Sequence, residues 1–390
     1  MKIAILGYGT VGSGVYEILT SSSSACASRF HVHAVLIRKN KPKTLPIMVD
    51  DIEDILSSDV EAVVEAMGGI EPAHTYIKKC LEHKKHVVTA NKAVVAKYMR
   101  EFTALAKEND VSFLFEASTG GGIPWIHAIE NVKRIDSIRQ FHGIFNGTSN
   151  YILDHMYKDN AEFSDILKKA QELGYAEADP SADIDGFDIQ NKLQISASIA
   201  FECYIPNTFP VFGIRNVTKT DIEFFKEKNR ILKLIATAAI HDDTYHCSIE
   251  PRLYPLGSLE ASVPENFNLA SIHGVTIGDL KFYGQGAGKL PTANAVIQDL
   301  IDIIEKKAHA VLLDKDLNYH PSQRPASYWI RTKSMPLEQL PNITVKVHAY
   351  LGHTYYFIQG ITTDQMHAIM QNIQQEDKHA FMAAWEEDYD

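Results

Sequence analysis

Residues 171 to 194, QELGYAEADPSADIDGFDIQNKLQ, place five acids within twelve positions: Glu177, Asp179, Asp183, Asp185 and Asp188. A single lysine, Lys192, follows four residues after the last of them. On a helix opening near Asp188, positions i and i+4 share a face, so the Asp188 carboxylate and the Lys192 ammonium point together into whatever lies beside them. A proton donor with its electrostatic partner has this form. The plainer reading is a solvated acidic loop followed by a helix-surface ion pair worth about 0.3–0.5 kcal/mol. A calcium loop fails on charge: with Ser181 placed first, the position that needs a bidentate Glu is Lys192.

The rest of the chain must supply the elements that position such a pair. Residues 2 to 6, KIAIL, read as a buried strand ending in GYGTVG, and VYEIL continues as a helix. Strand, glycine turn and helix in that order form the dinucleotide-binding fingerprint, with Gly7, Gly9 and Gly12 matching GxGxxG. Gly7 permits the tight turn, Gly9 lets the backbone approach a pyrophosphate, and Gly12 lets the helix pack on the strand. The second strand, VHAVLI at 32–37, runs into Arg38, Lys39, Asn40 and Lys41 where an NAD-specific protein usually has an acid. Cationic groups there attract a 2′-phosphate, so NADP(H) is expected ahead of NAD(H), with a solvated basic loop or tolerance of both as alternatives.

Further strands are expected at AVVEAM (62–67), HVVTA (86–90) and SFLFEAS (112–118), alternating with helical stretches such as PAHTYIKKCLEH. This alternation predicts a doubly wound parallel sheet. Ligands bind at the carboxyl ends of such strands, here marked by Met67, Gly68 and Gly69, by Lys92, and by residues 116–122. Lys92 taken alone reads as a surface lysine more often than as a ligand-facing one. Past about residue 130 the alternation breaks, and strands near 244–254 and 274–284 indicate an antiparallel-rich second domain. The segment YGQGAGKLPTANAVIQDLIDII is a glycine turn feeding a long helix, without the residues of a P-loop. From SYWIRT onward, VKVHAYL, HTYYFIQGI and the helical TTDQMHAIMQNI predict a small α+β module; the run SSSS at 21–24 predicts a loop.

Composition bounds the partners. A chain of 390 residues, 45% hydrophobic, is expected to hold two or three domains. A formal charge of −11 argues against nucleic acid or an anionic membrane and for a small metabolite. Cys26, Cys80, Cys203 and Cys247 lack CxxC spacing, which predicts reduced, buried thiols and no structural zinc. The chain opens on a strand-like run, and no apolar segment reaches membrane-spanning length, so a soluble, cytoplasmic protein is expected. The sequons at Asn146, Asn216 and Asn342 would then carry no meaning.

Seven ordered motifs resemble homoserine dehydrogenases over roughly residues 1–325: GYGTVGSGV (7–15), EAMGG (65–69), TANK (89–92), EASTGGGIP (116–124), GIFNGTSNYIL (143–153), LGYAEADPSADIDGFDIQNKLQI (173–195) and GAGKLPTANAV (286–296). The resemblance implies an enzyme interconverting L-homoserine and L-aspartate 4-semialdehyde with a nicotinamide cofactor, on the route to threonine, methionine and isoleucine. It implies an α/β fold: a Rossmann domain at 1–130, completed by a helix at about 290–322, and a catalytic and dimerisation domain of α+β type at 131–289. Residues 326–390 would form a small, degenerate ACT-like segment. A homodimer or a dimer of dimers is expected.

Residue by residue, Lys192 matches the family's proton donor and Asp188 the acid beside it that binds substrate. Glu177 matches the residue holding the substrate's amino group, Asp183 a supporting acid, and Lys92 a lysine facing cofactor and substrate. Gly7, Gly9, Thr10, Val11, Gly12, Arg38, Lys39, Met67, Gly68, Gly174 and Gly288 fall at cofactor-contacting positions. Glu116, Thr119, Gly121 and Ile123 match the backbone positions that hold a monovalent cation, usually sodium. With no kinase-like segment ahead of the first strand, a monofunctional form is expected. The C-terminal segment is short and lacks the ACT module's usual glycine-containing turn before its first helix, so threonine feedback is not expected.

Two other functions fit parts of this pattern. Aspartate-semialdehyde dehydrogenase shares the Rossmann domain but needs a cysteine nucleophile in a strand-end loop, which is absent here. A cofactor-sensing binding protein would need no proton donor and would carry a DNA-binding or partner module.

Overall fold

The computed structural model describes residues 1–21, 25–307, 311, 313–321, 325–333, 335 and 343–387. Of the expected SSSS loop only Ser21 falls among them, and Asn342 lies outside them. The chain divides into two compact units: residues 1–135, 194–205 and 284–315, and residues 136–193, 206–283 and 316–390.

In the first unit six parallel strands form one sheet. They are β1 (Lys2–Leu6), β2 (His31–Leu36), β3 (Met48–Val49), β4 (Ala62–Glu65), β5 (His86–Thr89) and β6 (Phe113–Leu114). Their order is β3-β2-β1-β4-β5-β6, so the chain reverses direction across the sheet between β1 and β4. This is the doubly wound, Rossmann-type arrangement, whose ligand crevice opens at that reversal. Ile3, Ile5, Val35, Val64 and Val88 are buried between helices, as near-continuous apolar strands must be.

The helix Lys289–Ile304 packs against the same core through Ala293, Val296 and Leu300. It is shorter than the helix expected at about 290–322: Lys306 adopts a left-handed backbone (φ 55°), and Asn318–Tyr319 is a strand. The expected strand 112–118 is also cut short. After Leu114 the chain turns into a 3-10 helix at Glu116–Ser118, because the buried Glu116 carboxylate caps the next helix by accepting from Ile126 N (3.0 Å) and His127 N (2.7 Å).

In the second unit β7 (Ile138–Ile144), β8 (Arg230–His241), β9 (Thr244–Pro255), β10 (Phe267–Gly274) and β11 (Gly278–Gln285) form an antiparallel sheet in the order β11-β10-β7-β8-β9. The single strand expected at 274–284 is in fact the turn and second arm of a β10–β11 hairpin. The Asp136 carboxylate folds that turn by accepting from the backbone N–H groups of Val275, Thr276 and Ile277.

The sheet continues through the C-terminal segment. β16 (Phe381–Trp385) pairs parallel with β9, and β13 (Ala326–Arg331), β15 (His353–Ile361) and β14 (Thr344–Tyr350) follow in antiparallel succession; β12 (Asn318–Tyr319) pairs with β9. The helix Thr363–Glu376 packs Met366, Ile369, Met370 and Ile373 on this part of the sheet. The strand order β16-β13-β15-β14 is that of a ferredoxin-like βαββαβ unit, here with one described helix. The described strands of residues 326–385 therefore extend the second unit's sheet.

Cys80, Cys203 and Cys247 are buried free thiols, whereas Cys26 is only half-buried. Among the described residues no helix is long and apolar enough to cross a membrane.

Candidate active site

The acid-rich stretch folds as a turn and two helices of the second unit, Ser181–Ile184 and the start of Phe187–Phe201. Asp188 and Lys192 lie one turn apart, with Lys192 Nζ donating to Asp188 Oδ2 at 2.7 Å and to the Phe145 carbonyl at 2.6 Å. Each of the two side chains is only 11% exposed. That burial decides against helix-surface decoration, because removing two charges from water costs several kcal/mol per ion and is sustained only by full hydrogen bonding.

Asp183 joins the pair through Asn146, whose amide nitrogen donates to Asp183 Oδ1 (2.7 Å) and to Asp188 Oδ2 (3.0 Å). Phe145 and Asn146 are the link between β7 and the helix Gly147–Asp159, which Asn146 caps by accepting from Ser149 N at 2.7 Å. Arg215 holds the other side of the acid turn. It donates to both Asp185 oxygens (2.8 and 2.6 Å) and to Ser181 Oγ (3.0 Å), fixing the short helix that carries Asp183.

Glu177 is exposed on the preceding loop. That loop is tied to the helix Gly147–Asp159 by Thr148 Oγ1, which donates to the Tyr175 carbonyl at 2.6 Å. Thus Asp183, Asp188 and Lys192 converge, while the Glu177 carboxylate stands outside their hydrogen-bond network. The sequence reading missed Asn146 and Arg215. Asn146 could have been found as the cap of the helix in GTSNYILDHM; Arg215 carries no local signal.

In the first unit a cavity of about 790 Å³ opens at the sheet's reversal point, lined by Gly7, Tyr8, Gly9, Arg38, Lys39, Lys41, Met67 and Gly68, among others. Gly7 turns with φ +99°, and a Cβ there would come within 2.8 Å of the Ala66 carbonyl; a Cβ on Gly12 would run into the Gly7 carbonyl. At Gly9 no atom lies within 4 Å of where a Cβ would be, which leaves that backbone open to a ligand. Thr10, Val11 and Gly12 form the first turn of the helix Thr10–Thr20, whose N-terminal amides favour an anion.

The Met67–Gly68 loop is held from below by Glu65, which accepts from Met67 N (2.8 Å) and Thr89 Oγ1 (2.5 Å). Burial pushes its carboxyl above the usual range. Lys92 starts the helix Lys92–Glu108, capped by Asn91, which also donates to the Gly69 carbonyl at 2.6 Å. Lys92 and Gly288 belong to this unit without lining the cavity, and Gly174 belongs to the other unit. A dinucleotide fits this site: a glycine cradle faces a helix N-terminus, and Arg38, Lys39 and Lys41 stand at the end of β2.

In the loop 116–123, residues 116–121 and Ile123 are buried, with Gly121 at φ +60° lying so close to Gly286 that a side chain is excluded. The hydroxyl oxygens of Ser118 and Thr119 are buried without a hydrogen-bond partner. Unsatisfied buried hydroxyl oxygens are donors of the kind a hard cation takes, while the Glu116 and Ile123 carbonyls already accept from Thr119 N (3.2 Å) and Trp125 N (2.8 Å).

A Rossmann sheet with an open glycine turn, and a buried lysine bonded to an acid in the second unit, define an oxidoreductase that uses a nicotinamide cofactor. Residues 7–116 match the family model described as homoserine dehydrogenase, NAD binding domain, and residues 124–301 match that described as homoserine dehydrogenase. The chain is similar to the homoserine dehydrogenase of Synechocystis sp., at 40% identity over 317 residues that span 78% of this chain and 73% of the relative. That of Bacillus subtilis is 36% identical over 316 residues, with the same two shares. In three dimensions it resembles the crystal structure of a homoserine dehydrogenase from Thiobacillus denitrificans, with a TM-score of 0.87 and 30% identity over 99% of this chain and 98% of that one.

The chain belongs to the homoserine dehydrogenase family. It is an NAD(P)-dependent oxidoreductase acting on a CH–OH group, interconverting L-homoserine and L-aspartate 4-semialdehyde in amino-acid biosynthesis. Neither alternative function is favoured by these matches.

Proposed function

We propose that Lys192 carries the reaction's proton. The observation behind this is its ammonium, held in a buried site by a carboxylate one helical turn away and a backbone carbonyl. When bound, the nicotinamide delivers hydride to the aldehyde or takes it from the alcohol. In reduction, Lys192 gives its proton to the oxygen on which negative charge develops; in oxidation the neutral amine takes the hydroxyl proton, so alkaline pH favours that direction. Asp188 fixes the position of Lys192 and, with Asp183, keeps the site anionic enough to receive a substrate bearing an ammonium. Glu177, exposed on the tethered loop, holds that ammonium. Lys92 is assigned to cofactor and substrate binding on the match of its TANK motif.

NADP(H) is the preferred cofactor, because Arg38 and Lys39 follow β2 where an acid would otherwise select NAD(H). A solved relative, a hyperthermophilic archaeal homoserine dehydrogenase mutant, is described in complex with NADPH; it has a TM-score of 0.66 and 25% identity. The loop Glu116, Thr119, Gly121 and Ile123 would hold sodium and stiffen the backbone there. The working form is a homodimer, or a dimer of dimers, in the cytoplasm.

Following absorbance at alkaline pH with homoserine and either NADP⁺ or NAD⁺ tests this reading. A faster, lower-KM rise with NADP⁺ is expected, and a preference for NAD⁺ would overturn the cofactor assignment.

A further inference from the structure

One uncharged side chain connects both carboxylates of the buried cluster. Asn146 Oδ1 is fixed by accepting from Ser149 N at 2.7 Å as the cap of the helix Gly147–Asp159. This contact settles the orientation of the amide, because only its oxygen can accept there. The amide nitrogen must then face the other way, where it donates to Asp183 Oδ1 at 2.7 Å and Asp188 Oδ2 at 3.0 Å. Asp188 Oδ2 is the same oxygen that accepts from Lys192. Asn146 itself is 4% exposed.

Two carboxylates gathered around one point repel each other, and a lysine on a four-carbon stem does not hold both in register. A carboxamide with two N–H groups does so without adding charge.

We propose that Asn146 is a positioning residue for the proton transfer: its amide holds Asp183 and Asp188 together so that Asp188 presents Lys192 in the geometry the reaction needs. The peptide just before it takes part, since the Phe145 carbonyl accepts from Lys192 at 2.6 Å. The β7-to-helix corner is therefore the template on which the proton donor and both acids are set. This rests on the assignment of the proton to Lys192.

The test is Asn146→Ser, which keeps an oxygen for the cap but loses both donations to the acids. A misplaced acid–lysine pair should lower kcat roughly tenfold to a hundredfold, with the KM for the cofactor unchanged and the protein still folded at the assay temperature. Combined with Asp188→Asn, the loss should be no greater than that of the worse single variant, because both changes break one linkage. Should the serine variant fail to fold, Asn146→Thr, which also keeps a cap oxygen and has no amide N–H, replaces it with the same expected loss.

A kcat within about twofold of the wild type, or losses that multiply in the double variant, would overturn the proposal. Lys192→Ala measured alongside separates the two ideas. Loss of turnover there with a normal Asn146→Ser enzyme rejects only the role of Asn146; normal turnover in Lys192→Ala rejects the reading on which it rests.

Discussion

Lys192 Nζ lies 2.7 Å from Asp188 Oδ2, and both side chains are about nine-tenths buried. An i,i+4 pair on a wet helix surface would add only about 0.3–0.5 kcal/mol. The same pair inside a pocket is costly to keep unless it is fully hydrogen-bonded, and here the Phe145 carbonyl and the Asn146 amide complete it. On the proposed assignment of the proton to Lys192, the reaction supplies the reason for keeping a cluster against that cost.

The cofactor end gives a selectivity prediction. Replacing Arg38 and Lys39 together with Ala should reduce kcat/KM for NADP⁺ by roughly ten- to a hundredfold, since each lost charge-assisted bond to a phosphate is worth about 1.5–3 kcal/mol when well formed and less at an exposed site. NAD⁺ should change little. Equal losses with both cofactors would refute a phosphate contact.

Gly12→Ala tests the glycine turn. Its Cβ would strike the Gly7 carbonyl at 2.0 Å, a backbone atom that cannot swing aside as a flexible side chain could. The helix must then move off β1, costing about 1–3 kcal/mol as an overpacked contact. Calorimetry should show a lower midpoint and fluorescence titration a weaker NADPH affinity; wild-type values for both would mean the helix is free to shift.

Glu260 predicts a pH dependence of stability. It is buried beside His142 (3.0 Å) and Lys281. Burial raises its carboxyl, but the hydrogen bonds from His142 and Lys281 outweigh this and hold it down at about 2. A carboxylate depressed in the folded state stabilises above its unfolded pKa of about 4.3, and that contribution is lost as pH falls toward 2. Glu260→Gln should therefore lower the thermal midpoint by roughly 5 °C at pH 7, with the gap to wild type narrowing at pH 3. A gap that stays constant across this range would rule out the linkage.

What could be read from the sequence follows from the distances over which each feature is set. The glycine turn at 7–12 and the Asp188–Lys192 spacing are local, so strand, turn and helix could be written down from period and residue type alone. The alternation in VKVHAYL likewise yields β14. Long-range choices were hidden. The Asn146 amide meets acids 37 and 42 positions away, and Arg215 meets Asp185 across 30. Nothing in the local sequence announces that Ala384 and Trp385 pair with Arg252 and Leu253, so the joining of β16 to β9 is legible only in the structure. The strand expected at 112–118 failed for a similar reason: Glu116 is drawn off the strand by amides ten and eleven residues later.

The most direct measurement is turnover of Lys192→Ala with homoserine and NADP⁺, alongside NADPH affinity by fluorescence. Loss of a positioned general acid should reduce kcat by about a hundredfold or more, with NADPH binding as in the wild type. Near-normal turnover would contradict the account and return Lys192 to being a buried structural partner of Asp188.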